Sequence, residues 1–372
     1  MKYYIIAGEA SGDLHGSNLI RALIKADPEA DVRCWGGDLM EQAGGTLVKH
    51  YKEMAFMGFA EVLANIRQIF KNITFCKEDI DAFKPDVVIF IDFSGFNLRI
   101  ASWAKAEGCR TNYYISPQVW ASREGRVRKI KSSIDDMYVI LPFEKSFYEE
   151  KHGFPVHYVG HPLLDAIEAG ETTDPSGFRK KHGLSTEKDI IALLPGSRKQ
   201  EVEKMLSLML SVVPVFPDHE FVIAGAPSLD NDFYEKFTGN SRVHFVTGET
   251  YALLQCARAA LVTSGTATLE TALFKVPQVV CYKGSWLSYQ IARRIITLKY
   301  ISLVNLIMDR EVVTELIQND LTHQALVTEL KAILSGPKRD AVLAAYEKLE
   351  TKLGGGGASE KAAGMIVDSI KT

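Results

Sequence analysis

The chain has 372 residues, of which 47% are hydrophobic and 24% are charged, and its formal net charge is -3. This length exceeds the usual size of a single hydrophobic core, so we expect two domains. The near-neutral charge argues against a nucleic-acid-binding protein, which would normally carry a basic excess. No apolar run approaches the roughly 18 residues that a membrane span needs, and the N-terminus leads directly into a predicted strand without a signal segment.

The five cysteines are scattered and show no C-x-x-C spacing. An odd, dispersed set of cysteines indicates reduced thiols and a cytoplasmic location. No cluster of Asp, His or Cys has the spacing of metal ligands. We therefore expect neither a bound metal nor a cofactor.

The chain opens with a strand, a glycine turn and a helix, which is typical of a doubly wound α/β sheet. A buried strand is predicted over residues 3–7, followed by Gly-Glu-Ala-Ser-Gly-Asp at 8–13. Glu9 and Asp13 thus lie at the carboxyl end of a strand, where open α/β sheets bind their ligands. The spacing of Gly8 and Gly12 does not match the dinucleotide-binding fingerprint.

A stretch at 57–73 has apolar residues at helical spacing, namely Phe59, Val62, Leu63, Ile66, Ile69, Phe70 and Ile73. One interpretation is a helix that packs on the core, and periodicity alone favours it. The other is a helix at a membrane surface or along an acyl groove. Both structures need the same apolar stripe, so the sequence leaves the choice open.

The most apolar predicted strand covers residues 86–91 and ends at Asp92, before a turn that contains Gly95. A carboxylate at that position is a candidate general base, although it could instead cap the next helix. Further strands are predicted at 32–35, 111–115, 137–141 and 156–159. Basic residues at 126, 128, 129 and 131 are typical of a solvated helix face, but beside the ligand-binding edge of a sheet they could meet phosphate.

The composition becomes polar between about 165 and 189, where we place the domain junction. The strand pattern then starts again, with strands predicted at 190–194, 221–224, 243–246, 259–263 and 278–282. The first of these ends in Pro-Gly-Ser-Arg at 195–198. The guanidinium of Arg198 suits bidentate phosphate binding.

The strand at 259–263 leads into Ser264 and Gly265, and a helix begins at Thr266 or Thr268. The first backbone N–H groups of a helix lack intrahelical partners and can bind an anion. Glu270, about one turn later, can accept two hydrogen bonds from a ribose diol. An ordinary capped helix would look the same, but a second phosphate-competent turn at 195–198 favours a nucleotide site. The sequence therefore predicts two doubly wound domains with a cleft between them, the second holding a nucleotide and the first holding carboxylates, as in a transferase that uses a nucleotide-activated donor.

Taken together, the motifs resemble those of the lipid A disaccharide synthases, inverting glycosyltransferases of the two-domain GT-B type. The matching segments occur in the family's order: Gly-Glu-Ala-Ser-Gly-Asp at 8–13, Met-Gly-Phe-Ala-Glu-Val-Leu at 57–63, Ile91-Asp92 with Phe96-Asn97, Ser116-Pro117 with Val119-Trp120, Leu-Pro-Phe-Glu-Lys at 141–145, Gly160-His161, Leu-Leu-Pro-Gly-Ser-Arg at 193–198, residues 264–270, and Tyr-Ile-Ser-Leu at 300–303 with Asn305. Some relatives have Pro and Asp in place of Ser94 and Gly95, and Trp in place of Ser122, which bears on acceptor positioning.

The resemblance implies that UDP-2,3-diacylglucosamine donates its sugar to the 6-hydroxyl of 2,3-diacylglucosamine 1-phosphate, with inversion in a single displacement. It implies an acceptor-binding Rossmann-like domain at 1–168, a nucleotide-sugar-binding one at 169–353, and a hinge with a terminal helix at 354–372. The catalytic residues would be Asp92 and Glu9. The nucleotide-binding residues would be Gly196, Ser197, Arg198, Ser264, Gly265, Thr266, Thr268, Glu270 and Asn305. The residues at the acceptor or membrane would be Phe59, Val62, Leu63, Ile66, Ile69 and Phe70.

The implied partners are the two acylated sugars and the membrane surface, with a homodimer left open. The enzyme would be cytoplasmic and peripheral at the inner face of the cytoplasmic membrane. Two rival functions remain at this point. A UDP-sugar epimerase would use the same nucleotide features without an acylated acceptor, and a non-catalytic lipid carrier would leave the nucleotide turns unexplained.

Overall fold

The computed structural model describes residues 1–54, 66–197, 199–226, 229–238, 242–284 and 298–371, without the side chains of Ile66 and Gln200. The chain forms two units. Met1–Ala169 and Leu353–Thr372 make up the first, and Gly170–Lys352 makes up the second.

The first unit is built on a seven-stranded parallel sheet with the order β3-β2-β1-β4-β5-β6-β7. Its strands are β1 (Lys2–Ala7), β2 (Asp31–Gly36), β3 (Thr46–His50), β4 (Val87–Ile91), β5 (Arg110–Tyr114), β6 (Asp136–Val139) and β7 (His157–Tyr158). Its helices up to residue 169 are α1 (Ala10–Ala26), α2 (Asp38–Gln42), α3 (Ile66–Phe83), α4 (Ser94–Ala106), α5 (Val119–Ser122), α6 (Val127–Ser133), α7 (Pro142–Ser146) and α8 (Pro162–Glu168), with short 3-10 turns at Tyr51–Glu53 and Glu124–Arg126 and a π-helical turn at Phe147–Lys151.

The second unit has a six-stranded parallel sheet with the order β10-β9-β8-β11-β12-β13. Its strands are β8 (Asp189–Leu194), β9 (His219–Gly225), β10 (Val243–Thr247), β11 (Ala257–Thr263), β12 (Gln278–Tyr282) and β13 (Glu315–Ile317). Its helices are α9 (Pro175–Lys181), α10 (Lys199–Leu210), α11 (Asn231–Glu235), α12 (Thr250–Cys256), α13 (Thr266–Leu273), α14 (Leu303–Met308), α15 (His323–Leu334) and α16 (Pro337–Leu353), with a 3-10 turn at Val213–Val215.

The central strands are apolar because both faces of each sheet are covered. In β8, Ile191 and Leu193 belong to the core on one face of the sheet, whereas Ile190, Ala192 and Leu194 belong to the core on the other. All five residues of β4 are likewise fully buried. A strand covered on both faces reads as a continuous apolar run instead of an alternating one, which is how the sequence marks these strands.

The chain returns to the first unit at its C-terminus through the last helix, α17 (Ala358–Lys371). The carboxylate of Asp165 accepts hydrogen bonds from the backbone N–H groups of Gly357, Ala358 and Ser359, at 2.7, 3.1 and 2.8 Å. These are donors at the start of a helix that lack intrahelical partners. Asp165 therefore anchors the N-terminus of α17, a long-range contact that the sequence does not reveal.

Helix α3 is held to the first sheet by a partly buried polar chain. Trp35 Nε1 donates to the hydroxyl of Tyr4 at 2.7 Å, and this hydroxyl donates to Asp79 Oδ2 at 2.6 Å. Arg33 also donates to both oxygens of Asp79, at 2.9 and 2.5 Å. Because each member is paired, the chain fixes the rotation of α3 on the sheet.

The predicted fold class, α/β with two doubly wound Rossmann-like sheets, is confirmed. The predicted strands are all present, with ends that differ by at most two residues. Two strands were not predicted, β3 and the three-residue β13. Both are short and only partly buried, so they lack a clear apolar run. Of the helices in the described ranges, none combines the length and the apolar character that crossing a bilayer requires.

Candidate functional site

The strand order of the first unit reverses between β1 and β4, which are direct neighbours with Ala7 paired to Ile91. Open α/β sheets bind ligands in the crevice at such a switch point, beyond the carboxyl ends of the strands. Glu9 follows β1 and Asp92 follows β4, so the topology brings these two predicted catalytic residues to one place.

The turn after β4 is strained. Asp92 and Phe93 both adopt left-handed backbone conformations, with φ of 42° and 44°. Each such residue costs on the order of 1–3 kcal/mol when it is not glycine, and strain of this kind concentrates at functional sites. The carbonyl of Asp92 accepts hydrogen bonds from Asn97 Nδ2 at 2.9 Å and from the hydroxyl of Tyr113. These two buried donors hold the strained turn in place.

Asn97 also joins the two strands of the switch point. Its amide nitrogen donates to the carbonyls of Ile6 and Ile91, at 3.3 and 3.1 Å, in addition to Asp92. The ring of Phe93 lies against Gly8, where an added Cβ would come within 2.3 Å of the ring carbons. Gly8 is therefore required by close packing, and the two turns form one rigid arrangement.

The carboxylate of Asp92 is partly buried, and its pKa is raised to about 6. Burial is the larger cause and the negative charge of Glu9 is the second, while a hydrogen bond from the backbone of Phe93 acts in the opposite direction. A carboxylate with a pKa near the working pH is better suited to accept a proton than one with an ordinary value. Glu9 itself is exposed at the N-cap of α1.

Asp13, the second carboxylate of the opening motif, has a structural task. Its oxygens accept hydrogen bonds from the backbone N–H groups of Gly37, Leu39 and Met40, at 2.8, 3.2 and 3.0 Å. The side chain is buried and caps α2. The expectation that it faces a ligand is therefore not supported.

The turn after β5 is organised by a residue to which the sequence analysis gave no role, Glu144. This fully buried carboxylate accepts from Trp120 Nε1 at 3.2 Å and from the backbone N–H groups of Ile140 and Leu141. Burial raises its pKa to about 7, against the effect of these hydrogen bonds. Glu144 thus fixes the Val119–Ser122 helix α5 beside the switch point. Its sequence signal is a Glu three residues after Leu141, as in a capping box.

The strand order of the second unit reverses between β8 and β11, with Leu194 paired to Val262. The two phosphate-competent turns predicted separately, at 195–198 and 264–268, therefore follow neighbouring strands. Gly196 has a φ of 101°, and a Cβ built on it would lie 3.8 Å from Cβ of Thr263. The hydroxyl of Thr263 is buried and has no hydrogen-bond partner within the described part of the chain.

Gly265 is the N-cap of α13 and has a φ of 148°, a conformation that L side chains rarely adopt. Apart from its chain neighbours, no atom of the described residues lies within 4 Å of the position that its Cβ would take. The backbone is thus open to close approach by a ligand, and the first N–H groups of α13 point out of the helix end. Thr266 is exposed at the same turn.

Ser264 and Thr268, two of the residues predicted to bind the nucleotide, use their hydroxyls for hydrogen bonds within the protein. Ser264 Oγ donates to the carbonyl of Ile301 at 2.8 Å, and the buried Thr268 Oγ1 donates to the carbonyl of Gly265 at 2.8 Å. Thr268 Oγ1 also accepts from the backbone of Leu303 at 3.3 Å. The prediction that these residues bind the nucleotide is thus corrected for their hydroxyls, which keep the shape of the turn and leave backbone N–H groups as its donors.

Glu270 lies one turn into α13 and is partly buried. Tyr251 donates to its carboxylate over 3.4 Å, and burial raises the pKa of Glu270 in spite of this bond. One weak hydrogen bond leaves most of the acceptor capacity of the carboxylate unused. This geometry supports the predicted contact with a ribose diol.

Asn305, predicted to bind the nucleotide, is fully buried and its amide is satisfied. Its nitrogen donates to Glu315 and to the carbonyl of Val313, both at 2.9 Å, and its oxygen accepts from the backbone of Val312 and Val313. Glu315 in turn accepts from the backbone and hydroxyl of Ser302. This network, which the sequence did not indicate, shapes the segment beside α13, so a direct contact of Asn305 with a nucleotide stays a prediction.

Several predicted residues lie outside the described residues: Arg198, Phe59, Val62 and Leu63, together with the side chain of Ile66. Ser197 is described and exposed.

Within the described part of α3, the residues of the apolar stripe lie in different environments. Ile69 packs against the core and Ile73 is buried, whereas Phe70 is 56% exposed. The assignment of Ile69 to the acceptor or membrane set is therefore corrected, because the rotation of α3 on the sheet turns this residue inward.

The four basic residues between positions 126 and 131 also lie in different environments. Arg128 and Lys129 are exposed, and Lys131 donates to the carbonyl of His152, whereas Arg126 turns inward and donates to Ser94 Oγ at 2.8 Å. Within the described ranges, no group of three His, Cys, Asp or Glu side chains could hold a metal ion.

The architecture places the chain in a class, that of proteins with two doubly wound parallel sheets of the GT-B type. Two solved structures illustrate it. A UDP-GlcNAc 2-epimerase from Neisseria meningitidis, bound to UDP-GlcNAc, has a TM-score of 0.66 and 14% identity, with 100% of both chains covered. A glycotransferase of kitacinnamycin has a TM-score of 0.68 and 15% identity, with 99% of both chains covered. At such identities the likeness concerns the fold alone.

The sequence comparisons identify the family. The family model described as lipid-A-disaccharide synthetase matches residues 3–367. A lipid-A-disaccharide synthase from Syntrophus aciditrophicus is 40% identical over 375 residues, which cover 99% of this chain and 97% of the relative. Another from Geobacter metallireducens is 37% identical, with 98% and 96% covered. The chain belongs to the lipid-A-disaccharide synthetase family, a family of glycosyltransferases, as its motifs predicted.

Proposed function

We propose that the chain transfers the diacylglucosaminyl group of UDP-2,3-diacylglucosamine to the 6-hydroxyl of 2,3-diacylglucosamine 1-phosphate. The products are the β-1,6-linked disaccharide 1-phosphate and UDP. The observation that carries the proposal is the family match over residues 3–367, a range that contains both switch points. The epimerases share only the fold with this chain, at 14% identity.

The chemistry assigned to the first unit is removal of a proton. As the acceptor oxygen forms its bond to C1 of the donor sugar, the hydroxyl proton passes to the carboxylate of Asp92. The raised pKa of Asp92 and its strained, doubly anchored turn support this role. Burial keeps this pKa high, and the negative charge of Glu9 adds to the effect. Displacement at C1 in one step inverts the configuration, and no enzyme nucleophile is required.

The chemistry assigned to the second unit is binding of the leaving group. The bond between C1 and the diphosphate oxygen breaks, and the new charge on UDP is met by the backbone N–H groups at the start of α13 and by Arg198. The open backbone at Gly265 and the unused acceptor capacity of Glu270 support a diphosphate followed by a ribose at this edge.

The place of action follows from the substrates. Both carry two acyl chains and reside in a bilayer, so we place the enzyme at the inner face of the cytoplasmic membrane. Support comes from α3, where the exposed aromatic side chain of Phe70 is flanked by the exposed Arg67 and Lys71. An apolar group among cations suits an anionic membrane surface.

The test is to incubate the purified protein with both acylated sugars in mixed micelles and to analyse the products by mass spectrometry. We expect a tetraacyl disaccharide 1-phosphate and one equivalent of UDP. Release of UDP without disaccharide, or a change in the configuration of the donor sugar, would contradict the proposal and would favour an epimerase.

A further inference from the structure

Three arginines lie around the packed helices α4 and α6 beside the switch point of the first unit, where the charges of Arg99 and Arg123 act on Arg126. This arginine cluster consists of Arg99 on α4 and of Arg123 and Arg126, which follow α5. Arg126 is half-buried, and its Nη1 donates to Ser94 Oγ at 2.8 Å. Ser94 begins α4 only two residues after Asp92, so the Arg126 guanidinium is tied to the helix that follows the proposed base.

The cluster has no counter-charge among the residues that the structure describes. Other arginines of this unit are paired, such as Arg33 with Asp79 and Arg110 with Asp136. The nearest acidic residue in the sequence, Glu124, is bound to Lys151 and His152, at 2.7 and 3.1 Å.

Burial and the charges of Arg123 and Arg99 lower the pKa of Arg126. Like charges held together in this way raise the free energy of the unliganded protein, and an anion bound among them would relieve the repulsion.

We infer that the arginine cluster binds the 1-phosphate of the acceptor sugar, an inference that rests on the proposed function. The 6-hydroxyl and the 1-phosphate lie on the two sides of the ring oxygen, so a group that binds the phosphate must stand close to the base. Arg126 meets this condition through Ser94. A guanidinium can bind a phosphate with two parallel hydrogen bonds, and the Ser94 hydroxyl has a proton to donate to a third oxygen.

The cluster would then select the acceptor. A phosphomonoester carries close to two negative charges at neutral pH, whereas an unphosphorylated acylated sugar carries none. The cluster would also orient the ring, since a phosphate fixed at one end places the 6-hydroxyl at the other. Ser94, where some relatives have Pro, would donate to the phosphate in this arrangement.

The experiment compares two acceptors, 2,3-diacylglucosamine 1-phosphate and the same sugar without phosphate, in the wild type and in Arg126→Gln. We expect the variant to lose at least about tenfold in kcat/KM with the phosphorylated acceptor, as for removal of a charge-assisted hydrogen bond. The rate with the unphosphorylated sugar and the KM for the donor should change less than about twofold. The matched control is Arg128→Gln, an exposed arginine two residues away, which should leave the preference for phosphate intact.

If Arg126→Gln lost kcat/KM equally with the two acceptors, its preference for the phosphorylated acceptor would be unchanged. That result would overturn the inference. A second measurement separates the inference from the proposed function. Glucosamine 1-phosphate and glucosamine, both water-soluble, are titrated into the full chain and followed by NMR. Binding of glucosamine 1-phosphate but not of glucosamine, weakened in Arg126→Gln but not in Arg128→Gln, supports the phosphate site even if no disaccharide forms. A wild type that makes disaccharide but binds both sugars equally contradicts it.

Discussion

The two units share one topology and differ in what they place at the switch point. In both, the strand order reverses beside the first strand of the unit, between β1 and β4 and between β8 and β11. The first unit presents the carboxylates of Glu9 and Asp92 there, and the turn that holds Asp92 has two left-handed residues that are not glycine. The second presents glycines and open backbone. The proposed function thus assigns proton chemistry to one half and binding of an anion to the other, with different turns at the strand ends of the same fold.

The largest effect is expected from the base. Asp92→Asn keeps the shape of the side chain and tolerates the left-handed backbone, but it cannot accept the proton. We expect kcat to fall at least about a hundredfold, as is typical when a general base is removed. The measurement is steady-state turnover at saturating donor and acceptor. Turnover within a few-fold of the wild type would remove Asp92 from this role.

The second unit can be tested through its backbone. In Gly265→Ala, a methyl group would occupy the open space at the start of α13 and would strain the N-cap, so we expect UDP to bind about tenfold more weakly. The control is Gly336→Ala, another glycine of this unit with positive φ, whose Cβ would have no atom of the described residues within 4 Å except those of its chain neighbours. Both variants should unfold at lower temperature, and only the first should lose UDP affinity in calorimetry. Equal affinities would show that this turn does not meet the diphosphate.

A smaller effect should distinguish the ribose contact from the phosphate contact. Glu270→Gln weakens the acceptor for a diol, and we expect the Kd of UDP to rise about fivefold. Binding of inorganic pyrophosphate, which has no ribose, should not change. Tyr251→Phe removes the 3.4 Å hydrogen bond but keeps the carboxylate, so it should leave both ligands unaffected. If Glu270→Gln weakens both ligands alike, Glu270 is structural.

The units should also differ in their response to lipid, since the proposal assigns the membrane to the first. Phe70→Ser should reduce sedimentation with anionic vesicles by about threefold, as expected for the loss of one buried aromatic ring at the interface, without a change in unfolding temperature. Ile69→Ser is the neighbouring control and should lower the unfolding temperature, because Ile69 packs on the core. Unchanged vesicle binding in Phe70→Ser would contradict a membrane contact at this face.

The finest test concerns Glu9. If the carboxylate of Asp92 acts as the base, kcat/KM should rise with pH through an apparent pKa of about 6. Glu9→Gln removes a negative charge that disfavours ionised Asp92, so its pKa should fall and activity should persist to lower pH, by less than about one unit. The readout is the acidic limb of the kcat/KM profile. If the acidic limb of the Glu9→Gln profile stayed in place or moved to higher pH, this result would contradict the electrostatic coupling between Glu9 and Asp92.

The sequence was informative where a local pattern determines the structure. Apolar runs between glycine turns predicted the central strands, and position at a strand end singled out Asp92, Glu9 and the two turns of the second unit. β3 and β13 were missed because short, partly exposed strands have no such run. The left-handed pair at Asp92 and Phe93 contains no glycine, so nothing in the sequence announces its strain.

Long-range pairing explains the remaining differences. Asp165 finds its partners nearly two hundred residues away at the start of α17, and Asn305 has hydrogen-bond partners within the protein, among them Glu315. From the sequence, Glu144 could be interpreted as a helix cap and Arg126 as a solvated cation. Only the tertiary structure shows that both organise the surroundings of Asp92, the proposed base. Local patterns thus located the candidate site, whereas the division between binding and supporting residues depended on tertiary contacts.

The most direct measurement of the division between the two units is calorimetric titration of UDP into Asp92→Asn, the variant expected to lose turnover. If the second unit alone binds the nucleotide, its Kd for UDP should stay within about twofold of the wild-type value, as for a distant, independent site. A Kd that rises tenfold or more would show that Asp92 takes part in binding the nucleotide, and would contradict the separation of proton chemistry from nucleotide binding.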